Sequence, residues 1–326
     1  LLVLPCALIL QATHRLSRPE ALVTVLLGKG VMAPLQRLML VARTLPRLQA
    51  TRRRLKDLQG GGVEQTPRQH TGPRSCQAPT DTQYDVVFES VTLERSDRGD
   101  ILSGFSLTCP AGQVTGIVGP SGAGKSTVLQ LAAGSLKPTA GRVLIGGIDL
   151  STLCPHSMGR LVCPVFQQPF LLGRSLADNL RLSRPDLTAG EITDVLKACD
   201  LTPCIERFGL DGSVGRNGAY LSGGERQRLA IARVLISQAP VILLDEPTAF
   251  IDPEREFHIQ QALAHALKGR TVLIVAHRLV TVRDASRIAV MEHGRVTSLG
   301  HHEDLLKNSP LYQTYAQHQF ADGAMP

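Results

Sequence analysis

Short apolar runs alternate with helical patterns from Tyr84 onward. The strand-like runs are residues 114–118, 143–145, 241–244, 272–275 and 288–291. Alternation of this kind predicts a parallel sheet with crossover helices, and therefore an α/β domain. We expect the helical patterns between about 168 and 234 to form a helical insert in that domain.

The amino-terminal part of the chain has a different pattern. Residues 20–41 form a run long enough to cross a membrane, although Lys29 interrupts it and Pro34 would kink it. We predict a transmembrane helix here, and the alternative is an amphipathic helix on a membrane surface. Residues 1–10 are apolar but too short to span a bilayer, and no charged segment precedes them. We therefore expect the tail of a longer helix and a chain that is a fragment.

A polar segment separates these two regions. The basic run at 52–56 would hold the end of the membrane segment on the cytoplasmic side. Residues 59–83 are rich in Gly, Pro, Gln, Ser and Thr and cannot bury enough apolar surface to fold, so we predict a flexible linker. The predicted organisation is a membrane fragment at 1–58, a linker at 59–83 and an α/β domain at 84–326.

The location of the charge changes the choice of partner. A net charge of +7 on 326 residues would favour nucleic acid. Residues 1–58, however, hold ten basic residues against two acidic ones, beside the apolar segments. This arrangement is typical of a membrane anchor attracted to anionic lipid, so we predict a lipid membrane and no nucleic acid as partner. The seven cysteines form no CxxC pair or zinc spacing, which favours reduced cytosolic thiols.

A glycine-rich loop follows the run at 114–118 and opens a helical run at 128–133. In such a loop backbone N–H groups converge on phosphate oxygens, a lysine reaches the β and γ phosphates, and a serine binds Mg²⁺. The alternative is a chance glycine-rich turn, but a lysine and a serine in register after a strand favour a phosphate-binding loop. The predicted loop consists of Gly119, Pro120, Ser121, Gly122, Ala123, Gly124, Lys125, Ser126 and Thr127.

Two carboxylates follow the apolar run at 241–244. Asp245 would hold Mg²⁺ through water, and Glu246 would polarise the water that attacks the γ-phosphate. Alone, an acidic pair at a strand end is better explained as a solvated strand terminus. After a phosphate-binding loop, we predict that the pair takes part in hydrolysis.

A second candidate anion site begins at 222. Ser222, Gly223, Gly224 and Glu225 open a helix whose apolar residues recur at helical spacing. One chain has no obvious use for a second phosphate cradle, whereas a pair of chains does.

These elements, in this order, resemble the ABC ATPases from Tyr84 to about 317. The resemblance implies a P-loop domain with a helical subdomain, and ATP with Mg²⁺ as its ligands. It also implies a dimer in which the segment from Ser222 to Glu225 contacts ATP held by the partner's phosphate loop. Asp252 would reach across that dimer.

Two further roles follow from the resemblance. Gln167 would contact Mg²⁺ and sense the membrane domain, with Gln168 as the alternative. His277 would contact the γ-phosphate and help to position the attacking water.

Residues 18–58 are similar to the last transmembrane helix and cytoplasmic extension of exporter-fold transporters. The resemblance implies an ATPase that powers solute transport across the cell inner membrane, with the ATP-binding domain on the cytoplasmic side. Its partners would be membrane-domain helices and a second cassette, identical or different. Glu225 and Pro247 resemble a subgroup that includes bacterial siderophore transporters, and the transported solute stays open.

Two other functions are weighed against transport. A soluble ABC ATPase is disfavoured by residues 1–58. A regulatory half that no longer hydrolyses ATP is disfavoured because Glu246 is present.

Two arginines depart from the family pattern. Arg95 stands where the family stacks an aromatic ring on adenine. Its planar guanidinium would stack on the base, or adenine binding would be weaker. Arg216 stands where exporters tend to carry Glu near the contacts with the membrane domain. The residues that communicate with the membrane domain would therefore pair differently.

Overall fold

The computed structural model describes residues 83–95, 99–247, 253–276 and 278–322. All of them belong to Gly72–Pro326, the second of two units in the chain. The predicted membrane fragment at 1–58 and all but the last residue of the predicted linker lie outside the described residues. Among the helices that the structure describes, none combines the length and the hydropathy needed to cross a membrane.

The strands of the described part form two sheets. In chain order they are β1 (Val86–Arg95), β2 (Gly99–Cys109), β3 (Val114–Val118), β4 (Ala140–Ile145), β5 (Ile148–Asp149), β6 (Val162–Val165), β7 (Val241–Asp245), β8 (Thr271–Val275), β9 (Arg287–Glu292) and β10 (Arg295–Gly300). The larger sheet has the order β10-β9-β3-β8-β7-β6, and the smaller has the order β2-β1-β4-β5.

The larger sheet is parallel from β9 to β6, with β10 antiparallel at one edge. Strands β7 and β8 are buried along their whole length, as expected for parallel strands covered on both faces. The strand predictions at 114–118, 241–244, 272–275 and 288–291 are confirmed.

The prediction that 143–145 joins the parallel sheet is wrong. These residues end β4, which pairs antiparallel with β1 in the smaller sheet through Val86 and Ile145. Val143 and Ile145 are buried while Leu144 between them is half-buried. This alternation is typical of an antiparallel sheet with only one face on the core.

The helices of the described part are α1 (Lys125–Ala132), α2 (Pro155–Leu161), α3 (Leu176–Arg181), α4 (Ala189–Ala198), α5 (Thr202–Phe208), α6 (Gly223–Ile236), α7 (Pro253–Leu267), α8 (His302–Asn308) and α9 (Pro310–Asp322). Helices α3 to α6 lie between β6 and β7 in the chain, and this confirms the predicted helical insert. Helix α1 begins at Lys125, one turn earlier than the apolar spacing indicated.

Two apolar cores lie on opposite faces of the larger sheet. Alternate residues of β7 divide between them: Ile242 and Leu244 pack in one core with the helical insert, and Val241 and Leu243 pack in the other with the antiparallel sheet. Successive side chains of a strand point to opposite faces. Burial on both faces therefore fixes the strand ends from which the phosphate loop and the acidic pair emerge.

Candidate functional site

The glycine-rich loop connects β3 to α1 and needs glycine at its two ends. Gly119 has φ +152° and Gly124 has φ +93°. A Cβ on Gly119 would lie 2.1 Å from the carbonyl oxygen of Met291, and one on Gly124 would lie 2.9 Å from Leu102. The loop is thus seated against β9 and β2, with its backbone leading into the N-terminus of α1.

Lys125 is held inside this loop. It is only 5% exposed, and its Nζ donates hydrogen bonds to the carbonyl oxygens of Gly119 (2.7 Å) and Pro120 (2.8 Å). Burial lowers the pKa of Lys125, and the nearby carboxylates of Glu246 and Asp245 oppose that shift. The structure therefore brings together the lysine and the acidic pair that the sequence singled out.

The acidic pair emerges where β7 ends beside β8. Asp245 is 3% exposed, whereas Glu246 is half-buried and adopts φ +49°. The N–H of Glu246 donates to the carbonyl of Val275 (3.0 Å), and its Oε2 accepts a hydrogen bond from Gln167 Nε2 (3.2 Å). A positive φ in a residue other than glycine costs about 1–3 kcal/mol and persists where its surroundings fix it.

The donor atoms around this edge fit a magnesium ion. Ser126 supplies an exposed hydroxyl in the first turn of α1, Asp245 a carboxylate and Gln167 an exposed side-chain amide. Mg²⁺ prefers oxygen ligands and is usually held by one or two protein groups together with substrate phosphates. The chemistry of these residues is therefore suited to the predicted ion.

The segment at 222–225 caps α6, and we call it the signature segment. Ser222 Oγ accepts a hydrogen bond from the Glu225 N–H (3.2 Å), and Glu225 Oε2 accepts one from the Ser222 N–H (2.7 Å). This capping box satisfies two otherwise unpaired donors and leaves the following N–H groups at the helix end. Ser222 is exposed, and a Cβ built on Gly223 would meet nothing within 4 Å. The segment therefore offers an accessible, positively polarised helix terminus.

Within the part of the chain that the structure describes, no hydrogen bond or ion pair joins the signature segment to the phosphate loop. The phosphate loop is seated against β9 and β2, and the signature segment is held by its capping box.

Three predicted residues are placed only in part or not at all. Arg95 is the last residue of β1, opposite Gly99. Asp252 and His277 lie outside the described residues. The predicted roles of all three stay predictions.

The apolar pattern of the sequence did not reveal a half-buried arginine that ties the helical insert together. Arg233 on α6 donates to the carbonyls of Asn179 (3.0 Å) and Phe170 (2.7 Å) and to Asn179 Oδ1 (2.5 Å). Burial lowers the pKa of Arg233. The segment that follows Gln167 is thereby bonded to the helix that carries the signature segment. An arginine among the apolar residues of α6 is the sequence feature that could have indicated this role.

A mainly parallel sheet with a phosphate loop after β3, a buried lysine and an acidic pair after β7 defines a P-loop nucleotide-binding domain. Residues 102–249 match the family model described as ABC transporter. The chain carries the ATPase domain of the ABC transporter family. The predicted family and fold class are therefore confirmed, and so is a nucleotide-binding domain of the ATPase type.

The similar proteins include import and export ATP-binding/permease proteins. The chain is 36% identical over 316 residues to the mycobactin import ATP-binding/permease protein IrtB of Mycolicibacterium thermoresistibile, covering 96% of this chain and 53% of that protein. It is 40% identical over 223 residues to the β-(1→2)glucan export ATP-binding/permease protein NdvA of Agrobacterium vitis, covering 68% and 38%. A solved bacterial Atm1-family ABC exporter with ATP bound matches with a TM-score of 0.72 and 31% identity, covering 95% of this chain and 54% of that one. The chain thus spans about half or less of the length of these relatives.

Proposed function

We propose that this chain hydrolyses ATP at a composite site built from two cassettes, and that hydrolysis powers solute transport across a membrane. One observation carries the proposal. The phosphate loop and the acidic pair lie at one sheet edge, while among the described residues the capped signature segment on the helical insert forms no hydrogen bond or ion pair with that loop. Two anion-binding elements in one chain fit a nucleotide held between two chains.

At the phosphate loop, residues 119–127 would bind the phosphates through backbone N–H groups. Lys125 uses two of its three donors on Gly119 and Pro120, which keeps its ammonium group beside the loop. Ser126, Asp245 and Gln167 would hold Mg²⁺, Asp245 through water. When bound, the ion would neutralise charge on the phosphates.

Glu246 would polarise the water that attacks the γ-phosphate in line. Its carboxylate is oriented by the Gln167 amide at 3.2 Å and its backbone by Val275. Phosphoryl transfer needs positioning and charge neutralisation more than covalent help, and a fixed carboxylate provides positioning. His277 would assist from the segment after β8.

The second half of the site would come from the partner. Ser222, Gly223, Gly224 and Glu225 would contact ATP bound to the other chain, and Asp252 would reach across the interface. Arg95 would lie against the base, at the end of β1.

Residues 1–58 would place the chain in the inner membrane, with the ATPase domain on the cytoplasmic side and membrane-domain helices as partners. The names of IrtB and NdvA, each an ATP-binding/permease protein, support membrane and ATPase parts that work together. The domain boundaries at 58 and 83 are part of this proposal.

The test is Mg²⁺-dependent ATPase activity of the full chain against its concentration, beside Lys125→Ala. We expect activity per chain to rise with concentration and to disappear in the variant, because a composite site requires association. Activity per chain that is independent of concentration down to a demonstrated monomer would contradict the composite site. Nucleotide binding without turnover would favour a regulatory half completed by a different cassette.

A further inference from the structure

Arg207, on α5, holds the signature segment from outside α6. Its Nη2 donates to the carbonyl oxygen of Tyr220 (2.8 Å), two residues before Ser222. The same nitrogen lies 3.4 Å from Glu225 Oε2, and Nη1 lies 3.5 Å from Glu225 Oε1. The guanidinium also lies 4.4 Å from the centre of the Phe208 ring. Arg207 therefore faces both carboxylate oxygens of Glu225 in a fixed orientation.

The surroundings of Glu225 favour its charged form. Burial alone would raise the pKa of Glu225, but hydrogen bonds from Ser222 and Cys204 and the charge of Arg207 hold it below its ordinary value. Its side chain is 13% exposed and that of Arg207 is 47% exposed. A poorly solvated negative charge thus lies within the segment that would receive the phosphates of a partner's ATP.

We propose that Arg207 is a positioning residue for the composite site: it compensates the charge of Glu225 so that the signature segment accepts the partner's nucleotide. This inference rests on the function proposed above and deepens it. Like charges brought together across an interface oppose association, whereas a fork of two N–H groups on the carboxylate offsets its charge. The bond to Tyr220 adds a backbone tie, which keeps the offsetting charge at the start of α6.

The charge mechanism and a purely structural one make different predictions. If Arg207 acts by charge, its removal matters while Glu225 is negative and matters much less once position 225 is neutral. The effect also shrinks at high salt, because half of the arginine side chain is in solvent. A structural tie to Tyr220 would cost the same with either residue at 225 and at either salt concentration.

The experiment is a double-mutant cycle in the full chain with Arg207→Gln, Glu225→Gln and both together. At low salt we expect Arg207→Gln to raise the KM for ATP about fivefold with little change in kcat, since the loss falls on assembly around ATP. In the Glu225→Gln background the same change should raise KM less than about twofold. ATP-dependent association, measured by sedimentation, should follow the same pattern.

Two variants serve as controls. Arg207→Lys keeps the charge and should retain most of the affinity. Lys197→Gln removes an exposed positive charge from α4 of the same insert and should leave KM unchanged. Thermal unfolding of each variant shows whether the fold is kept.

Equal effects of Arg207→Gln in both backgrounds, or an effect that salt does not alter, would overturn the inference and leave the proposed function standing. A wild-type chain without Lys125-dependent turnover or ATP-dependent association would instead overturn the proposed function, and this inference with it.

Discussion

The phosphate loop and the signature segment are both anion-binding helix starts, but the molecule supports them in opposite ways. The phosphate loop follows the buried strand β3 and is seated against β9 and β2, and its lysine is 5% exposed. The signature segment lies at the surface, with its serine exposed, and is held by a capping box and by Arg207. The conformation of the phosphate loop is fixed by the core of the domain, whereas that of the signature segment is fixed by a few polar contacts.

The difference shows where each half of the site can be adjusted. A side chain added at Gly119 or Gly124 would clash with Met291 or Leu102, so a change at these two glycines affects folding and binding together. At the signature segment there is open space next to Gly223, so a side chain can be added without a clash. The signature segment is therefore the place where binding to a partner can be changed while the fold is kept.

The largest expected effect concerns catalysis beside the phosphate loop. Glu246→Gln should lower kcat by about a hundredfold or more, because it removes the group that polarises the attacking water. ATP binding should persist, since Lys125 and the loop backbone are unchanged. The measurement is single-turnover hydrolysis, with sedimentation to detect a dimer trapped by ATP.

The matched control for this variant is Glu303→Gln, an exposed carboxylate in the first turn of α8. Its kcat should stay at the parent value. Hydrolysis by Glu246→Gln at the parent rate would remove Glu246 from its proposed role.

A second variant changes only the signature segment. Gly223→Asp should leave the free energy of unfolding unchanged or slightly higher, because Cβ meets open space and an acidic residue is favourable in the first turn of a helix. It should lower ATPase activity more than about tenfold, since it places a negative charge against the partner's phosphates. Urea unfolding and steady-state hydrolysis measure the two effects.

Mixing tests whether the two halves lie on different chains. A dimer of Lys125→Ala with Gly223→Asp has one wholly intact site, so an equal mixture of these inactive chains should regain roughly a quarter of the wild-type rate. A chain that carries both Lys125→Ala and Gly223→Asp serves as the control. Mixed with either single variant it should stay inactive, because no intact site can form in that dimer. An equal mixture that stays inactive while forming mixed dimers would place both elements on one nucleotide within a chain.

Contiguous motifs were the most predictable part of this molecule. The phosphate loop, the acidic pair and the signature segment each occupy a few consecutive residues after or before a periodic run. Buried parallel strands were predictable for the same reason, since β7 and β8 are apolar throughout. Local composition was enough in each case.

Contacts between distant segments were not predictable. The hydrogen bond from Gln167 to Glu246 joins residues 79 apart, and the bond from Arg207 to Tyr220 joins two elements of the insert. The antiparallel sheet depends on register between segments as far apart as Val86 and Ile145. Strand β6 was not predicted because Pro164 interrupts its apolar pattern. A proline is tolerated at this position because β6 is an edge strand.

The smallest expected effect concerns Arg95, at the end of β1. An arginine at the predicted base position offers a flat cation without the ring of an aromatic residue, so it would stack on either purine. We expect KM values for ATP and GTP to lie within about threefold of each other, and Arg95→Ala to raise both by about twofold to fivefold. Arg95→Tyr should lower both, and Arg160→Gln, which removes an exposed charge from α2, should change neither. Strong preference for ATP that is lost in Arg95→Ala would show instead that Arg95 reads the base, and base recognition would then belong to the phosphate-loop side of the composite site.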